Sequence, residues 1–451
     1  MSSTIYKKLS HAPLNLIGGE GVFLHAEGHE PILDTCGGVV VSSLGHRHPR
    51  IRAAMAREAD KMAWAHAGSF TCADAEELAQ FVIDRAGPGL SHVQFLSGGS
   101  EAMELAVKVA YQYHCERGEP KRQRFISRRQ SYHGSTLATL ALSHNAMRRG
   151  VFEPLLARHT FVSPCNGYRG RGDGETDEAY ADRLADELEE TITTLGAETV
   201  AAFVAEPVVG STNGAVPAVS GYFKAVSEVC ARHGVLLILD DVMSGMGRTG
   251  RFLSHHMDGI TPDIVAIGKG LAAGYQPISG YIVSPHIHAA LRNGSGVLQN
   301  GQTHVNHPFA CAIALEVQKT IADDDLIEAV NRKGARLRAG LQTLAERNPF
   351  IGDVRGRGMF LGIEFVADKE TREPLPGGAA IAERLKRRGL ENAVLLYPGS
   401  GTADGAEGCH VLFAPPFIAS NAEIDEMLAR IERTLEDCFP EMERAAACAR
   451  V

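Results

Sequence analysis

Short apolar runs alternate with amphipathic stretches through the middle of the chain. Between about residues 90 and 285, runs such as HVQFL, VAAFVA, VLLIL and IVAI are each followed by turn residues. Runs of this kind are typical of buried parallel strands, and their alternation with helical segments is typical of α/β folds. We therefore predict a doubly wound, mostly parallel sheet flanked by helices.

The two ends of the chain have different patterns. Alternating apolar positions in residues 21–41, interrupted by a turn, predict a β-hairpin. Residues 50–86 have helical periodicity in two pieces, with Thr71 as the candidate N-cap of the second. Trp64 lies in the interruption between them and is either a core residue or the wall of a pocket. Residues 322–451 combine amphipathic helices with short strands, which predicts an α+β domain.

Two strands of the predicted sheet end on side chains of opposite charge. Asp240 and Asp241 follow VLLIL, and Lys269 follows IVAI between two glycines. Because ligands of open α/β sheets bind just beyond the carboxyl ends of strands, we expect one carboxylate and one amine in the same crevice. Pyridoxal phosphate requires this pair, since its aldehyde reacts with a lysine and its pyridine nitrogen pairs with an acid. Taken singly, a capping aspartate and a solvated loop lysine are the simpler interpretations.

Other strand ends carry further candidate groups. Residues 97–100 form a glycine-rich turn before a helix predicted to start at Glu101. Such a turn binds phosphate through backbone N–H groups and the helix dipole, although a plain turn with a serine N-cap explains the same residues. Tyr132 and His133 follow another strand, where a flat side chain could stack on a cofactor ring. Glu206 places one more acid at the end of the strand VAAFVA.

Two patterns suggest other kinds of site. Gly245, Gly247 and Gly250 fit the G-x-G-x-x-G signature of dinucleotide-binding folds. The residues after them lack helical periodicity, and no strand ending in an acid follows at the required distance. His46 and His48 could be metal ligands, but no acid or cysteine follows at a suitable spacing. We therefore predict neither a dinucleotide site nor a metal site.

Composition narrows the class of protein. The 451 residues are 44% hydrophobic and 22% charged, and the net charge of −9 argues against nonspecific binding of nucleic acid. Nine scattered cysteines without a C-x-x-C motif fit a reducing compartment. The N-terminus lacks the apolar core of a signal peptide, and no apolar run is long enough to span a bilayer. We expect a cytoplasmic protein with neither a membrane nor a nucleic acid as partner.

Taken together, these stretches resemble the class III, or ω-type, family of pyridoxal-phosphate aminotransferases. The resemblance covers about residues 15 to 435. The motifs that carry it, in chain order, are GHRHP, SGGSEAMELAVKVA, SYHGST, AEPVVG, LILDDVMSGMGRTGRF, PDIVAIGKGLAAG, GQTHVNHP, VRGRGMFLGIEF and APPFI. Each motif is weak alone, but their order and compatible spacing are specific for the family.

The resemblance implies a fold and a division of the chain. Its members have the type I fold of PLP-dependent transferases, a mostly parallel sheet flanked by helices beside a smaller α+β domain built from both termini. On this chain the large cofactor-binding domain would be residues 51–325 and the small domain residues 326–451. Residues 1–50 would join the small domain.

The resemblance also implies roles for individual residues. Lys269 matches the lysine that binds the cofactor covalently and moves protons at the substrate, and Asp240 matches the acid that keeps the pyridine nitrogen protonated. Val242 and Tyr132 match the residues that contact the two faces of the ring. Thr303 matches a residue that reaches the cofactor phosphate of the neighbouring subunit, which implies a homodimer. The other cofactor-binding positions implied are Gly99, Ser100, His133 and Glu206.

The chain departs from the family pattern in two places. Asp241 stands where the family commonly has a glutamate. Several members also carry an arginine before A-P-P that binds an α-carboxylate in bidentate fashion, whereas this chain has no arginine from Glu391 to Pro416. We therefore expect an ω-amino acid or an amine as amino donor and pyruvate or another small oxo acid as acceptor. Arg169, in a glycine-rich loop, is our candidate replacement for the missing arginine, and Trp64 is a candidate substrate contact.

The same cofactor residues would serve other reactions. An aminomutase, a racemase or a decarboxylase on this fold would also need Lys269 and Asp240, so the motifs leave these alternatives open. A binding protein that kept the fold without catalysis is a further alternative. Retention of both residues argues against it.

Overall fold

The structure, a computed structural model, describes residues 3–10 and 12–449. The strands are β1 (Leu16–Glu20), β2 (Phe23–Ala26), β3 (Ile32–Asp34), β4 (His92–Leu96), β5 (Arg124–Arg128), β6 (Thr160–Val162), β7 (Val200–Ala205), β8 (Val208–Val209), β9 (Val216–Pro217), β10 (Leu236–Asp240), β11 (Ile264–Ile267), β12 (Ser279–Val283), β13 (Ile351–Arg357), β14 (Phe360–Phe365), β15 (Val394–Leu395), β16 (Tyr397–Ser400) and β17 (Cys409–Phe413). The helices are α1 (Gly37–Val40), α2 (Pro49–Ala59), α3 (Ala73–Ala86), α4 (Gly99–Glu116), α5 (Leu137–Leu142), α6 (Ala146–Arg149), α7 (Gly167–Gly170), α8 (Asp177–Leu195), α9 (Tyr222–His233), α10 (Pro285–Asn293), α11 (Pro308–Asp323), α12 (Leu326–Arg347), α13 (Gly378–Glu391) and α14 (Asn421–Ala449).

The central sheet has seven strands in the order β4-β12-β11-β10-β7-β5-β6. β12 is antiparallel to both of its neighbours, β4 and β11, and the other pairs are parallel. β4 therefore runs in the same direction as β11, β10, β7 and β5, and these strands open their carboxyl ends at one edge. The predicted α/β fold with a mostly parallel sheet is confirmed.

The central strands are buried because helices cover both faces of the sheet. Successive residues of β10 point to opposite sides, as pleating requires. Leu237 and Leu239 belong to the core formed with α3, α8 and α9, whereas Leu236 and Ile238 belong to the core formed with α4. This two-sided burial explains why these strands are continuous apolar runs in the sequence.

Both ends of the chain form smaller sheets outside the central one. β13, β14, β17 and β16 form an antiparallel sheet against which α12, α13 and α14 pack. β1, β2 and β3 form a second sheet whose fourth strand is β15, paired parallel to β3 with Val394 opposite Leu33. The N-terminal strands thus pair with a strand from the C-terminal region, while the predicted domain boundaries stay a prediction. None of the described helices combines the length and apolar composition that a bilayer crossing requires.

The predicted hairpin is correct in position but shorter than expected. β2 and β3 pair antiparallel, with Phe23 opposite Leu33. The strand ends at Asp34 because its carboxylate accepts hydrogen bonds from the N–H groups of Cys36 and Gly38. Such aspartate-centred turns compete with strand pairing. The apolar residues that follow form the short, distorted helix α1 instead of a strand.

Two helix starts also differ from the prediction. The N-cap of α3 is Cys72, and Thr71 instead donates a hydrogen bond from its hydroxyl to the carboxylate of Glu76. Helix α4 begins at Gly99 rather than at Glu101. The Glu101 carboxylate accepts from the Gly98 N–H at 3.0 Å and so closes the first turn of the helix.

Candidate active site

The carboxyl ends of five strands bring most of the predicted site residues to one edge of the central sheet. The residues and their strands are Gly99 and Ser100 after β4, Lys269 after β11, Asp240 at the end of β10, Glu206 after β7, and Tyr132 with His133 after β5. Because β12 runs in the opposite direction, it contributes no loop to this edge. The arrangement is the crevice that open α/β sheets use for ligands.

Asp240 is held by contacts to both of its oxygens. It is buried, with an exposed fraction of 7%. Its Oδ2 lies 2.9 Å from Nδ1 of His133, and its Oδ1 accepts from the N–H of Val242 at 3.2 Å. Since an ionised carboxylate can only accept, the His133 Nδ1 carries the proton of this hydrogen bond. His133 Nε2 is buried and has no partner among the described residues.

Glu206 fixes backbone positions on two loops. Its Oε1 accepts from the N–H of Tyr132 and its Oε2 from the N–H of Gly210, both at 3.0 Å. Burial raises the pKa of Glu206, while the charge of His133 and these two hydrogen bonds lower it. Because both oxygens are occupied, the residue positions its neighbours and has no free oxygen directed at a ligand.

Lys269 occupies an unusual backbone conformation directly after β11. Its φ is 43°, in the left-handed region that costs a residue with a side chain about 1 kcal/mol. Its Nζ donates to the carbonyl of Val39 at 2.7 Å, which brings the N-terminal region into the site. Burial lowers the pKa of Lys269 to about 8, the charge of Asp240 raises it, and that of Arg148 lowers it. The lowered pKa leaves a larger fraction of the amine neutral near pH 7 than a solvated lysine has, which suits a residue that acts as a nucleophile or a base.

The first turn of α4 forms a narrow cradle. A Cβ at Gly99 would lie 3.0 Å from Cγ1 of Val242. Gly134, at a φ of 142°, lies so close that an added Cβ would be 2.8 Å from Oγ of Ser100. Ser100 Oγ accepts from the N–H of Ser135 at 3.0 Å and lies 3.5 Å from the Ser135 hydroxyl. Free N–H groups at a helix start together with a hydroxyl are well suited to a phosphate.

Val242 connects the cradle to the lysine strand. A Cβ at Gly268 would lie 3.2 Å from its Cγ1, and one at Gly99 would be closer still, at 3.0 Å. The Val242 side chain therefore lies between the phosphate cradle and Lys269, where a flat ring joining the two would rest on it. The ring of Tyr132 is half-buried and lies beneath the guanidinium of Arg148, whose Cζ is 4.1 Å from the ring centre.

The residues at this edge fit pyridoxal phosphate. A helix start with a serine hydroxyl suits the phosphate, a buried carboxylate suits the pyridine nitrogen, and an amine with a lowered pKa suits the aldehyde. Asp241, the departure from the family pattern, lies deeper and is fully buried. Its carboxylate accepts from the Ser244 hydroxyl at 2.5 Å and the Ser254 N–H at 2.8 Å, and burial raises its pKa to about 6. This aspartate therefore stabilises the loop after β10.

Thr303 and Trp64 belong to segments outside the five strand ends, but Asn306, three residues after Thr303, accepts a hydrogen bond from the N–H of Phe95 on β4. Thr303 is exposed. Trp64 is 39% exposed, so the interpretation as a core residue is wrong. Its ring contacts that of His304 edge-on, with centres 6.4 Å apart, and so lies beside Thr303. The structure thus places both residues on one surface.

Arg169 does not form a free carboxylate clamp. Its Nε is paired with Glu364, which is fully buried, and its Nη1 donates to the carbonyl of Arg372 at 2.8 Å. Because a buried carboxylate already holds the guanidinium, we withdraw the prediction that Arg169 binds substrate. The glycine-rich loop suggested a binding segment, but its partner lies 195 residues further along the chain.

No pattern in the sequence identified several residues that face the site. These residues are Val39, Arg148, Ser211 and Tyr397. Arg148 is the third residue of the short helix α6, and a run such as MRRG is typical of a solvated helix end. Only tertiary packing places it over Tyr132, so no local pattern could have identified it.

Known proteins are similar to this chain over nearly its whole length. Residues 5–435 match the family described as aminotransferase class-III. An aminotransferase of Gibberella zeae is 39% identical over 436 residues, covering 96% of this chain and 85% of that protein. The chloroplastic gamma aminobutyrate transaminase 3 of Solanum lycopersicum is 32% identical, covering 94% of this chain and 81% of that protein.

Solved structures are also similar to this chain over nearly its whole length. The crystal structure of the omega transaminase from Pseudomonas jessenii in complex with PMP has a TM-score of 0.89 to this chain at 30% identity, covering 95% of this chain and 94% of that one. The similarity spans the central sheet and the sheets formed by both ends of the chain.

Proposed function

The chain belongs to the class III aminotransferase family, and from that premise we propose that it transfers an amino group from an ω-amino acid or an amine to a small oxo acid such as pyruvate. The cofactor we propose is pyridoxal phosphate, used in a two-stage exchange in which donor product leaves before the acceptor reacts. The observation that carries this proposal is the pair of adjacent parallel strands β10 and β11, since β10 ends on Asp240 and Lys269 lies two residues after the end of β11.

The bound cofactor would supply an electron sink that stabilises negative charge on the substrate carbon. Gly99 and Ser100 would bind its phosphate, and Val242 and Tyr132 would contact the two faces of its ring. Asp240 would hold the ring nitrogen protonated, and His133 would orient Asp240 through the 2.9 Å hydrogen bond. The Lys269 amine would bind the aldehyde and then carry a proton to and from the substrate carbon.

An ω-amino acid or amine donor is favoured by two observations. The segment from Glu391 to Pro416 lacks the arginine with which several family members bind an α-carboxylate. One relative that matches over most of its length is a gamma aminobutyrate transaminase, and one similar solved structure is that of an omega transaminase. A panel of amines, diamines, β-amino acids and taurine, each with pyruvate, should reveal alanine formation for one of these classes.

A half-reaction distinguishes transamination from the other reactions of this fold. With a reactive donor and no oxo acid, the holoenzyme should release one equivalent of oxo product per site and stop. Addition of pyruvate should restart the reaction and form alanine. Continuous product release without an acceptor would contradict the proposal.

The role of Lys269 can be tested separately. Lys269→Ala should retain noncovalent binding of the cofactor, because the cradle at Gly99 and Ser100 is intact, but lose nearly all turnover. Reduction with borohydride followed by mass spectrometry should find the cofactor attached to the wild-type chain and not to the variant. Wild-type turnover in Lys269→Ala would overturn the assignment.

We further propose a homodimer in which Thr303 reaches the phosphate of the neighbouring subunit. Thr303 is exposed, and large apolar side chains are exposed on the same chain, among them Phe70 at 67%, Val151 at 87% and Leu155 at 65%. Val151, Phe152 and Leu155 belong to one short segment, Gly150–Leu155, and neighbouring exposed apolar side chains are typical of a surface that a partner covers. Sedimentation should give twice the mass of 48.3 kDa.

Mixed dimers test the cross-subunit contact. Lys269→Ala should be inactive, and Thr303→Ala should bind the cofactor about tenfold more weakly through loss of one charge-assisted hydrogen bond. A dimer with one subunit of each kind should contain one intact site, because Lys269 and Thr303 of that site come from different subunits. Absence of restored cofactor affinity in mixed dimers would place Thr303 in its own subunit's site.

We propose that the protein acts in the cytoplasm. The eight cysteines that the structure describes are all free, as expected of a reducing compartment. Fractionation of native cells should recover the protein with cytoplasmic markers, and recovery from an oxidising compartment would contradict this.

A further inference from the structure

We propose that Arg148, together with Ser211 and Tyr397, binds the carboxylate of the oxo acid acceptor and of an ω-amino acid donor. The inference rests on the proposed function and assigns the substrate anion to α6, a part of the chain remote in sequence from the A-P-P segment. It explains how a carboxylate is held in the absence of an arginine between Glu391 and Pro416.

Arg148 lies close to the residues of the candidate active site. The Arg148 guanidinium lies over the ring of Tyr132, and its Nη2 donates to the Ser211 hydroxyl at 3.0 Å. Tyr132 follows the same strand as His133, which holds Asp240. The charge of Arg148 also contributes to lowering the pKa of Lys269, so the guanidinium acts within electrostatic range of the reacting amine.

Arg148 differs from other arginines of the chain in the kind of partner that it has. Arg149 pairs with Glu153, and Arg169 pairs with Glu364. In the described part of the chain, the contacts of Arg148 are instead a hydroxyl, an aromatic ring and the phenol of Tyr397. A half-buried guanidinium with several donors unused favours an incoming carboxylate, which it can bind through two parallel hydrogen bonds.

Other arginines near this edge are already committed. Arg128 donates to the carbonyl of Glu206, and Arg248 donates to the carbonyls of Met359 and Pro415. Arg355 is buried against Glu364. Each of these guanidinium groups stabilises the fold, whereas that of Arg148 has no such carbonyl or carboxylate partner among the described contacts.

The fold holds the Tyr132 ring and Ser211, the contacts of Arg148, in place. Glu206 binds the N–H of Tyr132 and that of Gly210, and so fixes the ring below Arg148 and the residue before Ser211. His410 is buried, interacts with the backbone of Ser211, and lies 2.6 Å from the hydroxyl of Thr402 through its Nδ1. An anion site whose hydroxyls and ring are fixed before the ligand arrives binds with a smaller loss of entropy.

Pairs of substrates that differ only in the carboxylate test the proposal. The acceptors are pyruvate and propanal, and the donors are 4-aminobutanoate and butylamine. In Arg148→Gln, kcat/KM for pyruvate and 4-aminobutanoate should fall about 30- to 100-fold, as expected for loss of charged hydrogen bonds. For propanal and butylamine the change should stay within about threefold, because no carboxylate is present.

Further variants sharpen the comparison. Arg148→Lys keeps the charge but loses the planar fork, so it should recover part of the loss. Tyr397→Phe should show a smaller loss in the same direction, and it provides the test should Arg148→Gln fail to fold. Arg183→Gln is the matched control, since Arg183 also lies over a tyrosine ring, that of Tyr180, but pairs with Glu175 at the surface. It should leave all four substrates unchanged.

Binding of an unreactive anion gives a readout that does not depend on turnover. Calorimetric titration of the holoenzyme with butanoate, which has no amino or oxo group, should detect binding to the wild type and at least tenfold weaker binding to Arg148→Gln. In the cofactor-free protein, Arg148→Gln should also move the titration of Lys269 to higher pH.

The outcomes separate the two proposals. An equal loss with carboxylate and carboxylate-free substrates, or unchanged butanoate binding, would overturn the role of Arg148 and leave the proposed function intact. Absence of a half-reaction in the wild type with every donor in the panel would overturn the proposed function itself.

Discussion

At the scale of single residues, the protonation state of the Lys269 amine controls how fast the cofactor is bound. Only the neutral amine reacts with an aldehyde, and the neutral fraction grows as pH rises through the pKa of about 8. We expect the rate at which cofactor-free protein takes up pyridoxal phosphate to rise with pH, with a midpoint near 8 instead of near 10.5. Stopped-flow absorbance between pH 6 and pH 11 measures this rate.

The same experiment has an internal control. The charge of Asp240 raises the pKa of Lys269, so Asp240→Asn should move the midpoint below that of the wild type. A midpoint near 10.5 in the wild type would show that the amine is solvated and that burial of Lys269 is not maintained in solution.

The sequence predicted some site residues and missed others for physical reasons. Lys269 and Asp240 follow apolar strands, so their position at the sheet edge was implied by the pattern of the chain itself. Arg169 and Arg148 could not be told apart in this way, because each sits in a polar loop or short helix. Their roles depend on partners more than 60 residues away, Glu364 for Arg169 and Ser211 for Arg148.

At the scale of elements, the close packing of the turn after β5 against the start of α4 fixes the phosphate cradle. A side chain at Gly134 would place its Cβ 2.4 Å from Oγ1 of Thr139 and 2.8 Å from Oγ of Ser100, at a φ of 142° that disfavours any Cβ. Gly134→Ala should therefore displace Ser100 and weaken cofactor binding about tenfold, the value of one charge-assisted hydrogen bond. Spectroscopic titration of cofactor-free protein measures this affinity.

Gly150→Ala is the matched control for this change. Gly150 has a helical backbone, with φ −46° and ψ −49°, and no atom lies within 4 Å of its added Cβ. The control should bind the cofactor as the wild type does. Equal weakening in both variants would attribute the effect to general destabilisation.

The boundaries of helices and strands show where the apolar pattern of the sequence is insufficient to predict the structure. The strand predicted for this region extends beyond Asp34, yet the Asp34 carboxylate turns the backbone and α1 follows. This turn brings the Val39 carbonyl to Lys269, a contact between segments 230 residues apart that no periodicity could predict.

At the scale of the whole molecule, one buried charge network joins the C-terminal sheet to the rest of the chain. Glu364 on β14 pairs with Arg169 of α7 and with Arg355 of β13. Arg355 Nε also donates to the carbonyl of Gly214 at 3.0 Å. Glu364→Gln removes the negative charge that pairs with two buried arginines. It should therefore lower the free energy of unfolding by about 3 kcal/mol. Thermal or urea unfolding measures the change.

An ion pair at the surface provides the control for the buried network. Asp425 forms an exposed ion pair with Arg336, and exposed pairs contribute little to stability. Asp425→Asn should unfold under the same conditions as the wild type. If Glu364→Gln also matched the wild type, the buried network would not be what holds these regions together.

The reversed strand β12 affects the order in which the strands of the central sheet can pair during synthesis. β4 lies at the margin of the central sheet, and its neighbour there is β12, with Leu96 opposite Ser279. A nascent chain can pair β5, β7 and β10 as they leave the ribosome, but β4 has no place in the sheet until residue 283 has emerged. The cradle at the start of α4 is therefore completed after the rest of this edge. A ligand bound there stabilises only chains long enough to have finished the sheet.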